Sequence, residues 1–274
     1  MIDILLDALL DVLKLIPFLY LSFVIMELIE HKLNNQKKLD KINKFGPIAG
    51  STLGIIPQCG FSALASNLYA ARVITLGTLF SIYLSTSDEM LPILISHQSS
   101  IKEIVLLLST KFAIGLVFGI IIDLIYQKRK KEDIQNICTK DNCHCEKNIF
   151  VSSLIHTLKI SLFIFIINII LNTIIDESVL MNFTKNNKIL SPIITALIGL
   201  IPNCGASVIL TQLYLNNAIS LPSLIAGLLT GSATAIIVLF NENKNIKENI
   251  FIVFLLYSLR VISGLILEII NIVI

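Results

Sequence analysis

Residues Gly54-Ile55-Ile56-Pro57-Gln58-Cys59-Gly60-Phe61-Ser62 fall in the middle of a long apolar stretch, and Gly199-Leu200-Ile201-Pro202-Asn203-Cys204-Gly205-Ala206-Ser207 repeat them in the second half of the chain. Proline removes a backbone donor and glycine weakens a helix, so Pro-x-Cys-Gly at mid-span predicts a break there. A shift of 145 residues lays Pro57 on Pro202, Cys59 on Cys204, Gly60 on Gly205 and Ser62 on Ser207. Without a gap it also pairs Gly54 with Gly199, Leu68-Tyr69 with Leu213-Tyr214, and Ile101-Lys102-Glu103 with Ile246-Lys247-Glu248. Gly119 meets Gly264, Asp123 meets Glu268, and Lys14 meets Lys159. Chance similarity between apolar helices would match Leu and Ile rather than Pro, Cys and Lys. The chain is an internal duplication, a mark shared by many secondary transporters.

The 274 residues are 55% apolar and 15% charged, with mean hydropathy +0.84. Soluble domains carry roughly 25% charged residues, so a soluble enzyme, a disordered chain and a nucleic-acid binder are disfavoured together. A net charge of +2 argues for no partner. Asp3, Asp7 and Asp11 stand where a cleavable signal would carry Lys or Arg. No phosphate-binding Gly-Lys-Ser/Thr loop is present, and no Ser/His/Asp spacing suggests a hydrolase. The composition predicts an all-α polytopic membrane protein with lipid as its partner; a prokaryotic-type plasma membrane and no cofactor are expected.

About 20 apolar residues cross a bilayer core. Spans are expected near 12–30, 46–71, 73–96, 103–126, 150–175, 189–214, 218–240 and 249–274. Membrane repeat 1 (1–130), a cytoplasmic linker (131–148) and membrane repeat 2 (149–274) follow. The segment 31–44 holds five Lys, and 127–148 holds five Lys plus Arg129, whereas 97–102 holds only His97 and Lys102. Both basic loops face the cytoplasm only if 46–71 enters and returns, folding at Pro57–Gly60. Each repeat then has three full spans plus a broken hairpin, eight to ten helical segments in all. That count is odd, so the repeats are of inverted topology and both termini lie outside.

Irregular backbone at membrane depth is tolerated where it is buried or lines a wet cavity. The tips Gln58-Cys59-Gly60 and Asn203-Cys204-Gly205, with Ser62 and Ser207, are therefore candidate substrate ligands served by half-helix N-termini. The plainer alternative is a tight turn with a small buried Cys. Ser85-Thr86-Ser87-Asp88-Glu89 follows in 73–96; an ionisable group at that depth costs about 2.5–3.5 kcal/mol on insertion scales, which calls for a cation, a proton or a paired base. Pro92 frees the carbonyl of Asp88. The second repeat places Thr230, Gly231 and Ser232 there, polar but uncharged. Arg260 and Lys111 are the mid-span bases that could pair with the acids. Asp88, Glu89 and Arg260 are the expected coupling residues, and Cys59, Cys204, Asp88 and Glu89 the expected midplane metal ligands.

The linker carries Cys138, Cys143, His144 and Cys145. Three thiols and an imidazole within eight residues suit a soft ion such as zinc or trivalent arsenic; an unstructured polar linker is the alternative.

At Gly54-x-x-Pro57-Gln58-Cys59-Gly60-x-Ser62, Leu84-Ser85-Thr86-Ser87-Asp88-Glu89-x-x-Pro92 and Gly199-x-x-Pro202-Asn203-Cys204-Gly205-x-Ser207, the chain resembles the ten-helix heavy-metal exporters, a family of arsenic efflux proteins and manganese transporters distantly related to the ArsP permeases. The Cys/His-rich loop is similar to the metal-binding linkers of that family. The resemblance implies export of a metal or metalloid ion. One Cys per tip and the added acid pair depart from the ArsP pattern. A carrier of a small anion or organic solute, using the tip dipoles and Arg260, is the alternative.

Overall fold

The computed structural model describes residues 45–56, 59–87, 90–126, 190–201, 205–230 and 234–273, with single positions between 13 and 24 and between 154 and 166, all of them helical. Ten helices lie in the longer stretches: α1 Gly46–Gly54, α2 Cys59–Ala70, α3 Leu76–Ser85, α4 Met90–Ser96, α5 Ile101–Tyr126, α6 Ser191–Ile198, α7 Gly205–Leu215, α8 Leu221–Leu228, α9 Thr234–Glu242 and α10 Ile246–Val273. No strand occurs among the described residues. The second five helices follow the first five at the shift of 145 residues seen in the sequence.

Local chemistry sets these elements the same way twice. Pro47 and Pro192 sit in the first turns of α1 and α6, where a missing N–H costs nothing. Thr75 and Ser220 cap α3 and α8, accepting from the backbone N–H of Thr78 and Ser223 at 3.1 and 3.3 Å. Arg72 and Asn217 close the turns before those caps with φ of 61° and 56°.

The expectation of full spans at 73–96 and 218–240 is corrected. Each is divided, α3 from α4 and α8 from α9. Pro92 in the first turn of α4 explains the first division, because its ring would clash with the carbonyl four residues back if the helix ran on. Thr86 instead leaves α3 in an extended conformation, φ −60° and ψ 134°. Two helices, Ile101–Tyr126 and Ile246–Ile270, are long and apolar enough to cross a membrane alone. Val105, Val117, Leu124 and Ile125 on α5 are more than half exposed; in water such a stripe would aggregate, and lipid is its natural neighbour.

Within each half the helices form a trio, α1–α3–α5 and α6–α8–α10. Small residues allow the approach: a Cβ at Gly54 would lie 1.9 Å from Ser85 Oγ, and one at Gly119 would lie 1.8 Å from Ser81 Oγ. Between the halves the packing is reciprocal, α2 on α9 and α7 on α4.

The turns fix the direction of the long helices. Glu248, in the first turn of α10, accepts from Tyr69 and Arg72, while Asp123, near the end of α5, accepts from Thr75 across the same turn. Conversely, Glu103 at the start of α5 accepts from Tyr214, and Glu268 near the end of α10 accepts from Ser220. The start of each long helix is thus held near the end of the other, so α5 and α10 run in opposite directions.

Candidate functional site

Residues flanking three of the four breaks are joined by hydrogen bonds, and Gly199, beside the fourth, lies against the same end of α8. In the first half, Ser62 Oγ lies 3.2 Å from Thr86 Oγ1, and Ser87 Oγ donates to the carbonyl of Ile55 at 2.7 Å. Both sides of Pro57-Gln58 are therefore tied to the two residues that lead into Asp88. Ser62, Thr86 and Ser87 are buried. Ser85 is buried as well, but its hydroxyl is spent on the carbonyl of Ser81 at 2.6 Å. Beside this cluster Ser66 Oγ sits 2.7 Å from Tyr83 Oη and donates to the carbonyl of Ala235 at 2.7 Å, joining α2 and α3 to α9.

Two buried cations hold the end of α8, and one of them, Lys111, joins the two halves. Lys111 is 1% exposed, and its Nζ donates to the carbonyl of Thr86 at the end of α3 and to that of Leu228, 2.9 Å away, at the end of α8. Arg260 is fully buried; its Nε donates to Ala226 O at 3.0 Å and one terminal nitrogen to Gly227 O at 2.6 Å. Three successive carbonyls of the last turn of α8 are therefore held by positive groups. A helix C-terminus carries partial negative charge and free carbonyls, which is where a buried cation is best tolerated. Gly199, at the end of α6, makes room for this: a Cβ there would come within 2.2 Å of the guanidinium. The remaining Nη1 of Arg260 is buried with no hydrogen-bond partner among the described residues.

By sequence Arg260 is a candidate partner of the acids, which lie outside the described residues; among the described residues its partners are the carbonyls of Ala226 and Gly227. Gly60 is buried at the start of α2, Gly205 opens α7, Ser207 accepts from Thr211 Oγ1 through its carbonyl at 2.7 Å, and Thr230 Oγ1 donates to Gly227 O at 3.3 Å. Gln58, Asp88, Glu89, Asn203, Cys204, Ser232, the side chain of Cys59, and the loop residues Cys138, Cys143, His144 and Cys145 lie outside the described residues. No group of three metal-ligating side chains occurs among the described ones. Ser66 and Tyr83 were not foreseen, because hydroxyls in apolar helices resemble ordinary helix-facing polar residues. In the sequence Lys111 is legible only as a candidate base for the acid pair.

Broken helices joined at buried polar flanks and packed against two long helices apolar enough to cross a membrane accord with a multi-span membrane protein. A family model described as "Putative, 10TM heavy-metal exporter" (ArsP_2) matches residues 1–177 and 147–272, and the chain belongs to that family. No curated protein and no solved structure matches it.

Proposed function

We propose that the protein is a secondary transporter exporting a metal or metalloid ion, with the cargo held between the two Pro-x-Cys-Gly tips and the Asp88–Glu89 pair. The observation that carries this reading is the bonding of Ile55 and Ser62 to Ser87 and Thr86, which brings both sides of the first tip to the segment entering the acid pair. Cys59 and Cys204 supply soft ligands, and Asp88 and Glu89 hard ones or proton acceptors; Mn²⁺, another divalent metal and arsenite all suit such a set. The linker cysteines and His144 are a candidate holding site for the same class of ion. A divalent cation leaving a cell at −100 mV climbs roughly 4.6 kcal/mol, so export of one needs coupling, most simply proton antiport through the carboxylates. Neutral arsenite would meet no such barrier.

The antiparallel course of α5 and α10 supports two inverted-topology repeats. With 31–44 and 127–148 cytoplasmic, the end of α5 near Asp123 faces the cytoplasm and its start at Glu103 faces outward. The test is the metal sensitivity of cells with and without the gene, repeated for Asp88→Asn, Cys59→Ser and Arg260→Gln. The first two substitutions are expected to abolish protection; if both variants protect as well as the parent, the metal reading is wrong.

Nη1 of Arg260, buried without a partner among the described residues, favours a second reading, carriage of a small anion. Loss confined to Arg260→Gln, with an oxyanion phenotype, would select it.

A further inference from the structure

Two contacts between the halves are images of each other. Tyr69 Oη donates to Glu248, and Tyr214 Oη donates to Glu103; the shift of 145 residues that relates the tips also relates these residues. Each glutamate stands in the first turn of a long helix, and each tyrosine ends a short helix of the other half. Because α5 and α10 run oppositely, the two contacts lie at opposite ends of the molecule, separated by about 30 Å of helix. They span the seam between the halves on either side of the broken helices.

The contacts are not equal. Arg72 adds a two-pronged ion pair to Glu248, 2.9 and 3.1 Å long, with the carboxylate side chain only 8% exposed. Its counterpart is Asn217, and among the described residues Glu103 has no ion pair. Both positions have left-handed backbone. Asn accepts that conformation readily, whereas Arg is strained there. Strain that the surroundings hold in place tends to mark functional positions.

We propose that Tyr69–Arg72–Glu248 and Tyr214–Glu103 are the two latches of an alternating-access cycle, and that Arg72 sets its resting state. The proposal rests on the transporter reading. A carrier built from two equivalent inverted halves has two end states of equal energy when the halves are identical. Any preference must come from a departure from that symmetry, and Arg72 opposite Asn217 is such a departure, sited at the seam itself. The Glu248 latch is the tighter, so the empty carrier rests with that end shut and the Glu103 end the first to open. With the sidedness above, the cytoplasmic door is the one held closed, and the carrier waits facing outward.

The test uses membrane vesicles of both orientations carrying the full chain with Cys138→Ser, Cys143→Ser and Cys145→Ser. A membrane-impermeant maleimide then reads access to Cys59 and Cys204 from each face. Arg72→Asn relieves the backbone strain and removes the ion pair; labelling from the Glu248 face is expected to rise about tenfold, the ratio that corresponds to 1.4 kcal/mol, while labelling from the Glu103 face falls. The double exchange Arg72→Asn with Asn217→Arg is expected to reverse the parent's preferred face. Unchanged labelling in both variants overturns the proposal. So does a rise from both faces together, which signals a loosened fold rather than a released latch. Mn²⁺ and arsenite flux in the same vesicles separates the two readings: reversed access in a carrier that moves neither ion upholds the latches and removes those two ions as cargo.

Discussion

Lys111, in the long helix of the first half, donates through Nζ to the carbonyl of Leu228 in the second half at 2.9 Å, and the same nitrogen also holds the carbonyl of Thr86. One ammonium thus caps the C-terminal ends of α3 and α8 together. A charged donor to a carbonyl is worth about 1.5–3 kcal/mol net, so this group is a structural pin between the repeats.

Lys111→Met keeps the length and removes the charge. It is expected to destabilise the protein by about 3 kcal/mol, seen as a lower midpoint of thermal unfolding in detergent. Lys111→Arg should recover part of the loss. A midpoint equal to the parent's for Lys111→Met would show that the pin carries no weight.

The Gly119 approach is a steric prediction. Gly119→Leu must displace Ser81, whose Oγ lies where even a Cβ would come within 1.8 Å, and overpacking of this kind costs about 1–3 kcal/mol. Val117→Ala, at a position 51% exposed on the same helix, should be nearly neutral. Thermal unfolding of the two variants side by side decides it.

Thr86→Val removes the hydroxyl that meets Ser62 Oγ at 3.2 Å. The fold should lose only about 1 kcal/mol, while metal protection in cells falls well below the parent's. Full protection at normal expression would place Thr86 outside the cargo path.

Topology is tested with single cysteines at Asn34 and Ser99. The basic loop should label only from the cytoplasm and the 97–102 loop only from outside. Labelling of both from one side would contradict the inverted arrangement.

Much of the fold was legible because its signals are local. Pro57, Gly60, Pro202 and Gly205 break a helix by what they lack, a donor or a side chain, and no tertiary contact is needed to see it. The breaks at 85–90 and 228–234 were missed, since Ser85-Thr86-Ser87 and Thr230-Gly231-Ser232 also fit the polar side of a continuous span. Pro92 was the available signal: a proline in a first turn requires that the helix start just before it. The matched Tyr69/Tyr214 and Glu103/Glu248 were read as marks of duplication, and nothing in the spacing revealed that each tyrosine reaches across to the other repeat's glutamate.

The sequence by itself determined the duplication, the helical class and the two Pro-x-Cys-Gly interruptions, because period, proline and small residues act along the chain. Only the tertiary structure decided what the buried charges bind. Among the described residues Lys111 and Arg260 turn to helix-end carbonyls, where a cation shut away from water meets concentrated negative potential. The two latches arise in the same way, from residues far apart in sequence that only an opposed packing of the halves can join.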